Sequence, residues 1–175
     1  MPVSVKTRIG YNKIVTEEWI AHLIEAKPSA IILHGRTQKE MSKVPVHWDE
    51  IGKAAVLCRK AGIPIVGNGD IASHREGVEK AKQYGLDGIM VGRAIFSNPW
   101  FFSAKGGSAS GGNPAAKTPA ERIELLKKHL ELFIELWGTN KNFDVMKKFF
   151  KVYISGFEGA KELRMELMKA KNEKD

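Results

Sequence analysis

Polar residues that can hold a ligand stand directly after short apolar runs at four places in this chain. Lys6 follows Val3-Ser4-Val5, and His34 follows the run Ala30 to Leu33. Asn68-Gly69-Asp70 follows Ile63 to Gly67, and Gly92-Arg93 follows Gly88 to Val91. A held ammonium at Lys6 can stabilise negative charge developing on a ring or a substrate oxygen. Its structural reading is a lysine that reaches solvent along its own stem. His34-Gly35-Arg36-Thr37 puts an imidazole and a guanidinium on one turn, where Gly35 permits a sharp bend. A lone histidine is more often structural than functional. The Asn68-Gly69-Asp70 and Gly92-Arg93 turns belong together: glycines let backbone N–H groups face an anion, and Arg93 adds charge. Either turn alone is a weak signal. As a pair at successive strand ends they point to a phosphorylated ligand, since barrels commonly build phosphate sites there.

The elements that would carry these residues alternate. Residues 2–8 read as a strand, and Thr16 reads as the cap of a helix that stops before Pro28. Ala30 to Leu33 is a continuous apolar strand suited to burial on both faces. A loop over 34–47 leads to a helix from about Asp49 to Ala61, ended by Gly62. Ile63 to Val66 is the third strand, Ser73-x-x-Glu76 a capping box for a helix closed by Gly85, and Gly88 to Val91 the fourth strand. Repeated strand–helix alternation predicts an α/β fold with a parallel sheet and right-handed crossovers. A barrel segment and an open doubly wound sheet share that local pattern. A polar residue at every strand end favours the barrel, because an open sheet binds mainly at its switch point. Residues 1–102 are therefore expected to form the C-terminal half of a TIM (β/α)8 barrel.

Composition changes after that. Residues 103–117 are rich in Gly and Ser and read as a linker or exposed loop. Thr118-Pro119-Ala120-Glu121 opens a small all-α domain over 118–175, with further helices expected at about 142–154 and 159–172. There Lys147, Lys148 and Lys151 alternate with Phe149, Phe150 and Tyr153. Such a face could meet RNA phosphates and bases; its structural reading is aromatics in a helix core with lysines in water. The net charge of +8 allows a polyanionic partner without naming one. The single cysteine, Cys58, excludes an internal disulfide and a cysteine-cluster metal site, and it reads as helix packing. The histidines lack metal spacing, so no metal is expected. No stretch is apolar for the length of a membrane span and no signal-peptide pattern is seen, so a cytoplasmic protein without membrane contact is expected.

The runs VSVKTRIGY, ILHGRTQ, PIVGNGDI, GIMVGRAIFSNPWFF and KVYISGFEGAKELR, in that order, resemble the tRNA-dihydrouridine synthases. The resemblance covers nearly the whole chain outside the linker. It implies a flavin-binding TIM barrel with a helical tail that uses NADPH and FMN to reduce the 5,6 double bond of tRNA uridines. By position it implies that Lys6 contacts the flavin ring and stabilises its reduced anion, and that His34 also contacts FMN. Asn68, Gly69, Asp70, Gly92 and Arg93 would hold the ribityl-phosphate end. Arg36 would be a candidate for the tRNA side of the cleft, and the tail with Lys147, Lys148 and Lys151 for tRNA binding. The family's first four strands, its N-terminal flavin loop and its proton-donor cysteine have no counterpart here, and Cys58 is not that cysteine. Where the family tends to have a Lys-His pair in the tail, this chain has Lys148-Phe149.

The leading expectation is the C-terminal part of a tRNA-dihydrouridine synthase that binds FMN weakly and is inactive alone. A different class is a non-catalytic FMN- and RNA-binding half-barrel that needs the missing N-terminal half or a second copy of itself. A third is another FMN or phosphate barrel enzyme acting on a small metabolite, which would have no need of the tail.

Overall fold

A computed structural model describes residues 1–102 and 117–172, so all of the expected linker except Lys117 lies outside the described residues. These fall into two units, residues 1–95 with 101–102 and residues 96–100 with 117–172.

In the first unit, strands β1 (Ser4–Arg8), β2 (Ala30–His34), β3 (Ile65–Asn68) and β4 (Gly88–Met90) form one parallel sheet in the order β1-β2-β3-β4. Helices α1 (Thr16–Glu25), α2 (Trp48–Ala61) and α3 (His74–Tyr84) are the crossovers. The strand order never reverses, so this sheet has no switch point of the kind that open doubly wound sheets use. Side chains alternate across a strand, and parallel register puts paired residues on the same face. On one face Ile31, Leu33 and Ile65 are buried with Ile20, Ile51, Ala54, Ala55 and Cys58. That single core anchors the unit; cutting one of its large aliphatics to alanine would cost about 2–5 kcal/mol.

The other face differs from expectation. Ile32 and Val66 are only partly buried, so β2 is buried on one side rather than two. Among the described residues, α1 and α2 supply the core against the Ile31, Leu33 and Ile65 face, and the second row stays half-exposed. The third strand is also displaced along the chain, ending at Asn68 instead of Val66. Its ladder with β2 extends through Leu33↔Gly67 and His34↔Asn68, which the apolar run alone did not show.

Helix ends follow local chemistry in part. Gly62 and Gly85 close α2 and α3 in the left-handed conformation. Ser73 accepts from the Glu76 N–H at 3.1 Å, while the Glu76 carboxylate reaches back to the Ala72 N–H at 2.8 Å. Thr16 does not cap α1; it sits inside the helix, buried, and Val15 is the cap residue.

The short helix α4 (Ala94–Ser97) follows β4. In the second unit α5 (Pro119–Trp137) opens on a complete Thr118/Glu121 capping box with Pro119 in its first turn. A 3-10 turn follows at Gly138–Asn140. The helix expected over 142–154 is two short ones, α6 (Asp144–Lys147) and α7 (Phe150–Tyr153), and α8 spans Ala160–Leu167. Leu126, Phe133, Met146, Phe150, Tyr153, Ile154 and Ala160 form this unit's core.

Candidate functional site

The strand register assembles the site. Arg8, His34, Asn68 and Met90 are paired across all four strands in one row at their C-terminal ends. Lys6 pairs with Ile32 and Ile32 with Val66, one row earlier on the same face. Lys6, His34 and Asn68 thus share the half-exposed face, opposite the helix-packed core. Lys6 lies mid-strand and exposed, not at the end of a buried strand as expected, because β1 runs on to Arg8. Arg8 is the residue that the sequence reading missed; its spacing of two from Lys6 was the available signal. Its guanidinium donates to the Thr37 carbonyl at 2.9 Å, tying the loop after β2 to the sheet end.

His34 sits among cations. Burial, then Arg8, Arg36 and Lys6, push its pKa down from 6.5 to about 4, against a smaller opposing pull from Asp70. It is therefore a neutral imidazole near pH 7, and its Nδ1 is buried without a hydrogen-bond partner among the described residues. Asn68 donates its side-chain amide to the Met90 carbonyl at 2.8 Å, which joins the ends of β3 and β4.

Beyond Asn68 the backbone turns through Gly69 at φ +145° and Asp70 at φ +40°. A Cβ on Gly69 would stand 2.8 Å from both Val46 γ-carbons, so Gly69 is required by packing under the loop after β2. Gly92 is exposed, and a Cβ there would meet nothing within 4 Å. The open part of the expected anion cradle is therefore at Gly92-Arg93, whereas Gly69 is covered. Arg93 donates to Asp70 Oδ1 at 2.7 Å with its own side chain 71% exposed.

Arg36 is placed differently from its expected RNA-facing role. Its side chain is only 3% exposed. Nε donates to the Val44 carbonyl at 2.6 Å, Nη1 donates to Asp70 Oδ1 at 3.1 Å, and Nη2 donates to Asp70 Oδ2. Its guanidinium is spent within the unit. Hydrogen bonds from Arg36 first, with Arg93 adding to them, hold the Asp70 carboxyl below the usual carboxylate range.

Cys58 lies in α2 in the helix-side core, fully buried, and burial pushes its thiol up to about 11. It faces away from the row containing His34. Among the described residues no group of three or more histidine, cysteine or acidic side chains could hold a metal ion.

In the second unit, Phe150 and Tyr153 are buried while Lys148 and Lys151 are exposed, so the aromatics serve the helix core. Lys147 is mostly buried and donates to Asp144 at 2.8 Å. A cavity of about 430 Å³ is lined by Lys147, Lys151, Lys161 and Arg164 over Phe150, Met165 and Met168; Lys148 is not part of it.

Comparison with known proteins identifies the family. A family model described as "Dihydrouridine synthase (Dus)" matches residues 1–175. The chain belongs to the dihydrouridine synthase family. A "Probable tRNA-dihydrouridine synthase" of Staphylococcus aureus strain Mu50 is 40% identical over 173 residues, covering 96% of this chain and 50% of that protein. One from Staphylococcus epidermidis strain ATCC 35984 is 40% identical over 174 residues, with the same two coverages. "Probable tRNA-dihydrouridine synthase 2" of Bacillus subtilis strain 168 is 38% identical over 177 residues, covering 98% of this chain and 52% of that protein. The chain thus spans about half the length of these dihydrouridine synthase relatives. Among the described residues no helix is long and apolar enough to cross a membrane.

Proposed function

We propose that this chain is the C-terminal half of an FMN-dependent tRNA-dihydrouridine synthase, reducing the 5,6 double bond of tRNA uridines with NADPH when the rest of the barrel is present. The observation that carries this reading is the shared open face bearing Lys6, Arg8, His34 and Asn68, continued by the Asp70–Arg93 pair. The donor set fits an anionic flavin nucleotide. Cations flank a neutral imidazole, an amide stands at the strand end, and an exposed guanidinium adjoins the open Gly92 turn. FMN would supply hydride transfer to the base. Lys6 would stabilise negative charge on the ring, and His34 would contact it as a neutral group. Asn68, Gly69, Asp70, Gly92 and Arg93 would hold the ribityl-phosphate end, with Gly69 acting through packing of the turn. The basic cavity with Lys147 and Lys151, together with Lys148 nearby, would contact tRNA phosphates.

Cys58 cannot serve as the proton donor from the helix-side core, so the isolated chain is expected to leave uridine unreduced, and with half of the barrel it is expected to bind FMN weakly. It would work in the cytoplasm. Residues 1–102 would act as the half-barrel and 118–175 as the tRNA-binding part, with 103–117 as linker. The half-exposed second sheet face favours a further reading, a non-catalytic FMN/RNA-binding module completed by an N-terminal half or a second copy.

One set of measurements tests these readings. FMN titration should show saturable binding that Lys6→Met and Arg93→Ala weaken. Filter binding of tRNA should fall with salt and be lost on removing residues 118–175. FMN binding unchanged in both variants, or tRNA binding independent of the tail, would refute the assignment. Turnover of tRNA uridine by the chain alone would overturn the expected inactivity. A monodisperse monomer in light scattering would refute self-completion.

A further inference from the structure

Arg36 is a buried arginine whose charge the cofactor contacts above do not use. Its planar fork meets both Asp70 oxygens, and its Nε holds the loop after β2 at Val44. A two-pronged guanidinium–carboxylate pair sets orientation as well as position, which a lysine point charge does not. The carboxylate it grips belongs to Asp70, a non-glycine residue at φ +40° following Gly69 at φ +145°. Such backbone persists where surrounding contacts over-determine it. Asp70 Oδ1 also accepts from Arg93, the exposed guanidinium beside Gly92.

We propose that Arg36 is a positioning residue for a phosphomonoester: it clamps Asp70, and through Asp70 it sets the Gly69–Asp70 turn and the aim of Arg93. This rests on the FMN reading of the site. The arithmetic of charge explains why a buried cation is needed. Two guanidiniums and one carboxylate leave one net positive charge facing the open side. Without Arg36, Asp70 would pair with Arg93 alone and cancel its charge, so no net positive charge would face the incoming phosphate. Arg36 itself is too buried to touch the ligand, so its effect passes through its neighbour.

The test compares FMN with riboflavin, which has the same ring and lacks the phosphate, by equilibrium titration of the full chain and its Arg36→Met and Arg36→Lys variants. Loss of a charge-assisted clamp should weaken FMN about tenfold or more and riboflavin, which keeps the ribityl chain but lacks the phosphate, far less. Lysine should recover little. Adding Asp70→Asn to Arg36→Met removes the carboxylate that would neutralise Arg93 and should restore part of the FMN affinity. Protection of the Cys58 thiol in each variant separates this effect from unfolding of the unit. Equal losses for both flavins in a folded variant, or no loss for FMN, would overturn the positioning role. Wild-type chain that binds neither flavin would instead overturn the cofactor reading, and this proposal with it.

Discussion

Gly69→Ala is the sharpest perturbation of the site, because its cost can be worked from two separate sources. At φ +145° an alanine is strained whatever space surrounds it, at roughly 1–3 kcal/mol. The new methyl would also lie 2.8 Å from both Val46 γ-carbons, so the loop after β2 must move. Overpacking of that kind costs about 1–3 kcal/mol. Together the substitution should destabilise the first unit by about 2–6 kcal/mol, a large part of the 5–15 kcal/mol typical of a domain. Cys58 supplies a reporter for that unit alone, being the chain's single cysteine, fully buried, with its thiol pushed up to about 11. Thiol labelling against urea at one pH should show a lower midpoint for Gly69→Ala. Val46→Ala in the same chain should relieve the packing share and leave the backbone share, giving a favourable coupling of about 1–2 kcal/mol. Gly92→Ala, with no atom within 4 Å of its Cβ, should stay within about 0.5 kcal/mol of the parent. A Gly69→Ala chain as stable as the parent, or a double variant that is merely additive, would refute the turn geometry.

His34 gives an acid limb with a definite sign. Unfolded, it takes a proton near pH 6.5, but in the fold only near pH 4, so stability is full above 6.5 and falls as pH drops through that window. The upper limit is about 3 kcal/mol, and solvent screening lowers it. His34→Gln should flatten the slope of Cys58 protection across that range; identical slopes would refute the burial of a neutral imidazole. In the helical unit, Thr118→Ala should cost about 1 kcal/mol and speed amide exchange in the first turn of α5. Lys117 first, then the Thr118 N–H, holds the Glu121 carboxyl down to about 2, so its contribution to the cap should be full above pH 4.5 and decline as pH falls from there toward 2. Exchange rates unchanged by Thr118→Ala would count against the cap.

The periodicity and punctuation of this sequence were enough for most of its element types and their order, because those depend on neighbours a few residues apart, while the family was legible in the resemblance of its motif runs. Gly62, Gly85 and the Thr118 box act within one helical turn, so local chemistry decides them. The strand-end residues His34 and Asn68, and Lys6 in the middle of β1, were visible as polar residues following apolar runs. What pairs with what was not visible. Asn68 entered the strand because His34 stood opposite it, and Arg8 joined the site because register aligned it with both. Arg36 looked like an RNA contact from its place after a strand, yet a residue 34 positions further on claims both ends of its guanidinium. Likewise the helix expected over 142–154 broke into α6 and α7, which local spacing did not foretell. Spacing along a chain tells which side chains are able to do chemistry, but burial and charge neutralisation are sums over residues distant in sequence, so only the folded arrangement assigns each cation to ligand or to scaffold.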